Sequence, residues 1–133
     1  MTETLMVETS ALVAIILEEP GCRQLAEQIV RAGAFTTCIN VFEAALAVVR
    51  ERRMRPSESH EIVAEVAQRL GIEVRNYETD AISHAIAARE KFGAGRHGLN
   101  LGDCLCYGAA RRSRARLLYV GEDFARTDVN DEL

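Results

Sequence analysis

Leu5-Met6-Val7-Glu8-Thr9-Ser10-Ala11-Leu12 passes from an apolar run to a carboxylate, two hydroxyls and a second apolar stretch. The first three residues make a buried strand ending at Glu8, because a strand covered on both faces needs no polar alternation. Thr9 or Ser10 is placed to cap the helix that follows, since a hydroxyl there accepts from an otherwise unpaired backbone N–H. Leu12, Ile15 and Ile16 recur at helical spacing until Pro20-Gly21 breaks the pattern. A strand handing over directly to a helix is the opening of an α/β unit.

The same alternation continues along the chain. A second helix covers residues 22–31, with Leu25, Ile29 and Ala32 on one face and Gly33 ending it. Residues 34–37 form a short strand, and Asn40 caps a helix that turns Val41, Ala44, Ala45, Val48 and Val49 inward. Pro56 stops that helix and Ser57 starts the next, whose apolar stripe is Ile62, Val63, Val66, Ala67 and Leu70. Residues 72–75 suggest a strand, Thr79 or Asp80 opens another helix, and the glycine-rich residues 92–100 read as a loop. A last helix runs from about Gly102 to Arg114, and residues 116–120 form a buried parallel strand before Gly121 turns the chain. The expected fold is a three-layer α/β/α sandwich around a small central parallel sheet, formed by one domain over residues 1–133.

Composition narrows the function. The 133 residues are 48% apolar and 27% charged, a globular mixture whose core needs no covalent staple. Sixteen basic against twenty acidic residues leave a net charge of −4, which excludes nucleic-acid binding by bulk positive charge. Seven Phe and Tyr with no Trp argue against a base-stacking platform. No apolar run approaches the ~20 residues needed to cross a bilayer, and no signal peptide is recognisable, so the expectation is a soluble cytoplasmic protein. Cys22, Cys38, Cys104 and Cys106 contain no CxxC pair; Cys104 and Cys106, among apolar neighbours, read as buried thiols.

The acids carry the chemical signal. Glu8 follows the first strand and Asp123 the last, and ligand sites of open parallel sheets lie beyond the strands' carboxyl ends. Glu43 and Asp103 each sit in the opening turn of an otherwise apolar helix. Taken singly, each is explained as well by a favourable helix dipole. Converging on one cleft, the four would need a cation to offset their repulsion. Oxygen ligands without His or Cys favour Mg²⁺ or Mn²⁺ over zinc.

Residues 6–15, Met-Val-Glu-Thr-Ser-Ala-Leu-Val-Ala-Ile, resemble the opening motif of the PIN-domain ribonucleases, in particular the VapC-type toxins of toxin–antitoxin modules. Residues 117–124 with Thr127-Asp128 are similar to that family's closing strand and acidic turn, and residues 99–104 resemble the motif supplying its central aspartate. The likeness extends over essentially the whole chain. It implies a metal-dependent endoribonuclease, the toxin of a type II toxin–antitoxin system, that cuts structured RNA such as tRNA or rRNA with Mg²⁺ or Mn²⁺. It also implies a cognate antitoxin and homodimerisation, and no membrane association. Glu8 and Asp103 would be the principal metal ligands, Glu43 and Asp123 would complete the acidic cluster, and all four would be catalytic. Thr9 and Ser10 would orient a ligand or contact phosphate. Asp128 would belong to the substrate side or hold the local turn.

The chain departs from the family at Glu8, where the family has aspartate. One extra methylene displaces the carboxylate by about one C–C bond, and metal sites respond to shifts on the order of 1 Å. A second reading follows: a catalytically impaired PIN-like module that works by binding RNA or protein. A third is a small metal-dependent phosphatase using the same acids.

Fifteen of the sixteen basic residues are arginine, with clusters at Arg50, Arg52, Arg53 and Arg55 and at Arg111, Arg112, Arg114 and Arg116. They read either as basic helix C-termini or as phosphate contacts along RNA. His97 lies in the glycine-rich loop within reach of a substrate, while His60 and His84 read as helix-face residues. The apolar faces of residues 41–49 and 62–70 leave room for a groove that would take an amphipathic antitoxin segment.

Overall fold

The computed structural model describes residues 4–131. In chain order these form β1 (Thr4–Val7), α1 (Thr9–Ile16), α2 (Cys22–Arg31), β2 (Gly33–Thr37), α3 (Cys38–Arg52) and α4 (Pro56–Arg69). β3 (Glu73–Arg75), a 3₁₀ turn (Thr79–Ala81), α5 (Ile82–Phe92), α6 (Leu101–Arg112) and β4 (Arg116–Leu118) follow. The strands pair in the order β3-β2-β1-β4, all parallel, with Met6 level with Phe35 on one side and Leu117 on the other. The carboxyl ends of β1, β2 and β4 therefore share one edge of the sheet.

β1 lies between β2 and β4, which explains its unbroken apolar run. Leu5, Met6 and Val7 are all fully buried, and they alternate between two cores. Leu5 and Val7 pack with Ala11, Leu12, Ile29, Val41 and Val63, so α1 to α4 cover that face. Met6 packs with Phe35, Ala88, Cys106, Tyr107 and Leu117, placing α5 and α6 on the other. The expected α/β/α sandwich is what the chain forms. Among the described residues no helix is long and apolar enough to cross a membrane.

Several local expectations are corrected. The N-cap of α1 is Glu8 itself rather than Thr9 or Ser10: its carboxylate accepts from the Ser10 N–H. The N-cap of α3 is Thr37, which frees Asn40 to turn its side chain into the protein. Ala32 ends α2, and Gly33 already belongs to β2. α4 begins at Pro56, whose fixed φ suits a first helical position, so this proline starts a helix as well as stopping one. β4 ends at Leu118, and Val120 is 47% exposed. α6 spans Leu101–Arg112, beginning one residue before the expected Gly102 and ending two before Arg114, and Leu101 is 79% exposed. Cys104 and Cys106 are buried thiols as expected, whereas Cys38 is exposed.

Candidate active site

β1 delivers Glu8 to the carboxyl edge of the sheet, where its backbone N–H still donates to the Leu118 carbonyl of β4. Its carboxylate accepts from the Ser10 N–H at 2.8 Å and from the Ser10 hydroxyl, and Ser10 Oγ in turn accepts from the Val120 N–H at 2.8 Å. Ser10 thus ties the Glu8 carboxylate to the segment leaving β4. Glutamate is not a favoured N-cap residue, and here its longer side chain folds back to serve as one.

Glu8 is 7% exposed. Burial pushes its pKa up to about 7, against the lowering effect of the two Ser10 hydrogen bonds, and the charges of Asp103 and Glu43 push the same way. Asp103 is also raised, first by burial and then by Asp123 and Glu43, while a hydrogen bond from the Asn100 N–H opposes the rise. Each of the four acids is therefore electrostatically linked to at least one other.

α3 and α6 bring the remaining carboxylates in. Glu43, one turn into α3, accepts from Thr9 Oγ1 at 3.1 Å through its Oε1. α6 opens with a reciprocal cap: Asn100 Oδ1 accepts from the Asp103 N–H at 2.8 Å, and Asp103 Oδ2 accepts from the Asn100 N–H at 3.2 Å. Asp103 is thus a helix-start acid, as the dipole reading had it, and at the same time part of the acidic group. Asp123, in the turn after β4, is exposed and lines a cavity of about 210 Å³ together with Phe92, His97, Leu99, Arg126 and Thr127.

Asp128 stands apart. Its Oδ1 accepts from the Tyr107 hydroxyl at 2.8 Å and pairs with Arg111 at 3.2 Å, which fastens the C-terminal segment to α6. This geometry favours turn-holding, the second of its two expected roles.

Among the described residues the ion pairs of Arg55, Arg111 and Arg112 go to Glu58, Asp128 and Asp80 rather than to the four acids. The last turn of α3, seven to nine residues past Glu43, lies about 11–14 Å along the helix axis from that acid. Arg50 and Arg52 lie in that last turn. Arg111 pairs with Asp128, and Arg112 with Asp80 at 2.6 Å, so both are structural. His97 and Arg126 line the cavity that Asp123 shares.

Two participants escaped the sequence reading. Asn40 sits one turn before Glu43 and is 1% exposed, its carboxamide meeting Thr9 and Thr37. A polar residue three positions from an acid on an apolar helix was the available signal, because i and i+3 share a face. Gly102 is the other: a Cβ there would fall 2.0 Å from Glu43 Oε2, so α6 can begin against this carboxylate only without a side chain.

The ion pairs among the described residues leave Glu8, Glu43, Asp103 and Asp123 without a cationic side chain. A half-buried, all-oxygen set with uncompensated charge suits a hard divalent cation. No three His, Cys, Asp or Glu side chains among the described residues are grouped closely enough to hold an ion as they stand. The carboxylates form a charged edge rather than a ready-made cage.

Residues 5–130 match the PIN domain family. A VapC ribonuclease of Mycobacterium bovis is 34% identical over 127 residues, covering 94% of this chain and 95% of its own. A ribonuclease VapC of Mycolicibacterium smegmatis is likewise 34% identical, over 94% of this chain and 97% of its own, and a VapC ribonuclease of Rhizobium meliloti is 32% identical over 92% and 97%. Among solved structures, Rickettsia felis VapBC2 bound to a promoter DNA fragment superposes with a TM-score of 0.72 at 16% identity, over 95% of this chain and 94% of that one. The sarcin–ricin-loop-cleaving toxin VapC20 of Mycobacterium tuberculosis gives 0.71 at 12% identity, over 91% and 92%. Fold and acidic edge together define a PIN domain. The chain belongs to that family, among its VapC-type ribonucleases.

Proposed function

We propose that this protein is a divalent-cation-dependent endoribonuclease, the toxin of a toxin–antitoxin pair, with Glu8, Glu43 and Asp103 as its principal acids and Asp123 at the rim. The observation that carries this reading is the burial of Glu8 and Asp103 beside other carboxylates, which raises both, with no ion pair to a cationic side chain among the described residues. When bound there, Mg²⁺ or Mn²⁺ supplies a water activated for attack and charge to balance the phosphodiester. Glu8 and Asp103 are the ligands the donor geometry favours, because helix-start hydrogen bonds already orient both side chains. Ser10 holds Glu8, Thr9 holds Glu43, and Gly102 keeps the approach to Glu43 open. His97 and Arg126, lining the cavity beside Asp123, are placed to meet an RNA phosphate.

The antitoxin has a candidate seat. A cavity of about 410 Å³ between α3, α4 and β3 is lined by Val41, Phe42, Ala45, Leu46 and His60 among others. Phe42 is 64% exposed there. An apolar stripe of this kind accepts the apolar face of an amphipathic segment. A Klebsiella pneumoniae toxin–antitoxin complex has the same fold, with a TM-score of 0.70 at 16% identity over 94% of this chain and 93% of that one.

The test is cleavage of a structured RNA in the presence of Mn²⁺, with Asp103→Asn as the control for contaminating nuclease. Cation-dependent cleavage lost in Asp103→Asn supports the enzyme. RNA binding without cleavage favours the impaired module, for which the substituted Glu8 is the specific motive. Phosphate release from small esters with RNA left intact points to a phosphatase.

A further inference from the structure

We infer that Asn40 is a positioning residue for the acidic edge: its buried carboxamide fixes the direction of the Thr9 hydroxyl and thereby aims a hydrogen bond at Glu43. The inference rests on the cation-site reading above and extends it to a residue that touches neither cation nor RNA.

The geometry allows one polarity. A carboxylate only accepts, so the 3.1 Å contact between Thr9 Oγ1 and Glu43 Oε1 uses the Thr9 hydroxyl proton. Any further partner of Thr9 Oγ1 must then donate to it. Asn40 Nδ2 is 3.0 Å away and does so. Its Oδ1, on the opposite side, accepts from the Thr37 hydroxyl at 2.7 Å, and Thr37 Oγ1 accepts from the Asn40 N–H at 3.3 Å. Asn40 Nδ2 also faces the buried thiol of Cys106, at 3.7 Å. The carboxamide is therefore held from three sides, at a position only 1% exposed. Reversing it would set an oxygen against Thr9 Oγ1, leaving two acceptors to compete for one hydroxyl proton.

A buried asparagine is costly unless its groups are paired, and a leucine of similar size would fill the space more cheaply. What the asparagine adds is direction. The relay joins two elements, from Asn40 near the start of α3 to Thr9 at the start of α1 and back to Glu43 on α3, and so couples the β1–α1 joint to the α3 acid. Partners that orient a ligand from behind commonly change cation affinity by about 10- to 100-fold when removed.

The test is a double-mutant cycle read by Mn²⁺ binding, followed through the electron paramagnetic resonance signal of free Mn²⁺ and therefore independent of turnover. Asn40→Leu in the otherwise native chain is expected to weaken Mn²⁺ binding by about 10-fold. In a Thr9→Val background, where the hydroxyl is gone, the same change is expected to alter it by less than about 2-fold, while Thr9→Ser retains the full effect. Equal losses in the native and Thr9→Val backgrounds would assign Asn40 to packing alone and overturn the inference, with the cation site intact. No Mn²⁺ binding by the native chain would overturn both. Should Asn40→Leu fail to fold, Mg²⁺ titration of the native chain gives the answer by NMR. The Asn40 side-chain amide resonances must shift along the same saturation curve as the Glu43 backbone amide, and if they stay still the inference fails.

Discussion

Gly102 and Glu43 are in contact without a side chain between them: a Cβ at 102 would lie 2.0 Å from Glu43 Oε2 and 2.9 Å from its Cδ. The atoms that must yield belong to the free end of a flexible side chain. Gly102→Ala is therefore expected to leave stability within about 1 kcal/mol, since alanine suits a helix better than glycine. It displaces the Glu43 carboxylate by more than an ångström, and cleavage should fall by about 10-fold or more. Thermal unfolding and RNA cleavage on the same sample check this; unchanged cleavage would remove Glu43 from the reacting edge.

Glu8→Asp draws the carboxylate back by one methylene and supplies a better N-cap for α1. Cation-dependent cleavage should rise by about 10- to 100-fold, and more with Mg²⁺, which demands near-ideal octahedral geometry, than with Mn²⁺. Parallel cleavage assays with the two ions check it. Equal rates in both forms would mean that Glu8 is no ligand.

The raised pKa of Glu8 predicts a pH dependence of folding in chelator-treated protein. The group holds its proton to about pH 7 when folded and loses it near 4.5 when unfolded. Its contribution is complete below 4.5 and disappears as pH rises through 7, a loss on the order of 3 kcal/mol. Glu8→Gln cannot ionise and should be the more stable chain at pH 8, with a flatter profile between pH 5 and 8. Urea titrations at several pH values measure the difference; coincident profiles would refute it.

Asp128 joins the Tyr107 hydroxyl to Arg111 and is itself part-exposed. Asp128→Ala should cost about 1–2 kcal/mol of stability through these lost bonds. Cleavage per folded molecule should stay within about 2-fold of native, because the residue acts on the chain terminus rather than on RNA. A large loss of activity at full folding would return Asp128 to the substrate side.

The strands and the layer assignment were legible because β1 buries both faces and says so in three consecutive apolar residues. The acids were legible as a set because each stands at a strand end or a helix start. What the sequence concealed was where hydrogen bonds go. Glu8 looked like the residue before a cap, yet its carboxylate folds back to the Ser10 N–H and becomes one. Asn40 looked like a cap because asparagine favours that position; Thr37, the last residue of β2, takes the role, and Asn40 turns inward. The arginine clusters were visible as composition; only the helix rise shows that Arg50 and Arg52 sit about two turns beyond Glu43 on the same helix.

The direct test of one cation-holding edge is the Mn²⁺ affinity of metal-stripped protein at pH 8, by titration calorimetry, for the native chain, Asp103→Asn and Glu122→Gln. Glu122 adjoins Asp123 and is exposed, so it controls for general loss of negative charge. Asp103→Asn should weaken binding by at least about 10-fold with Glu122→Gln unchanged. Equal affinity in all three would contradict the account.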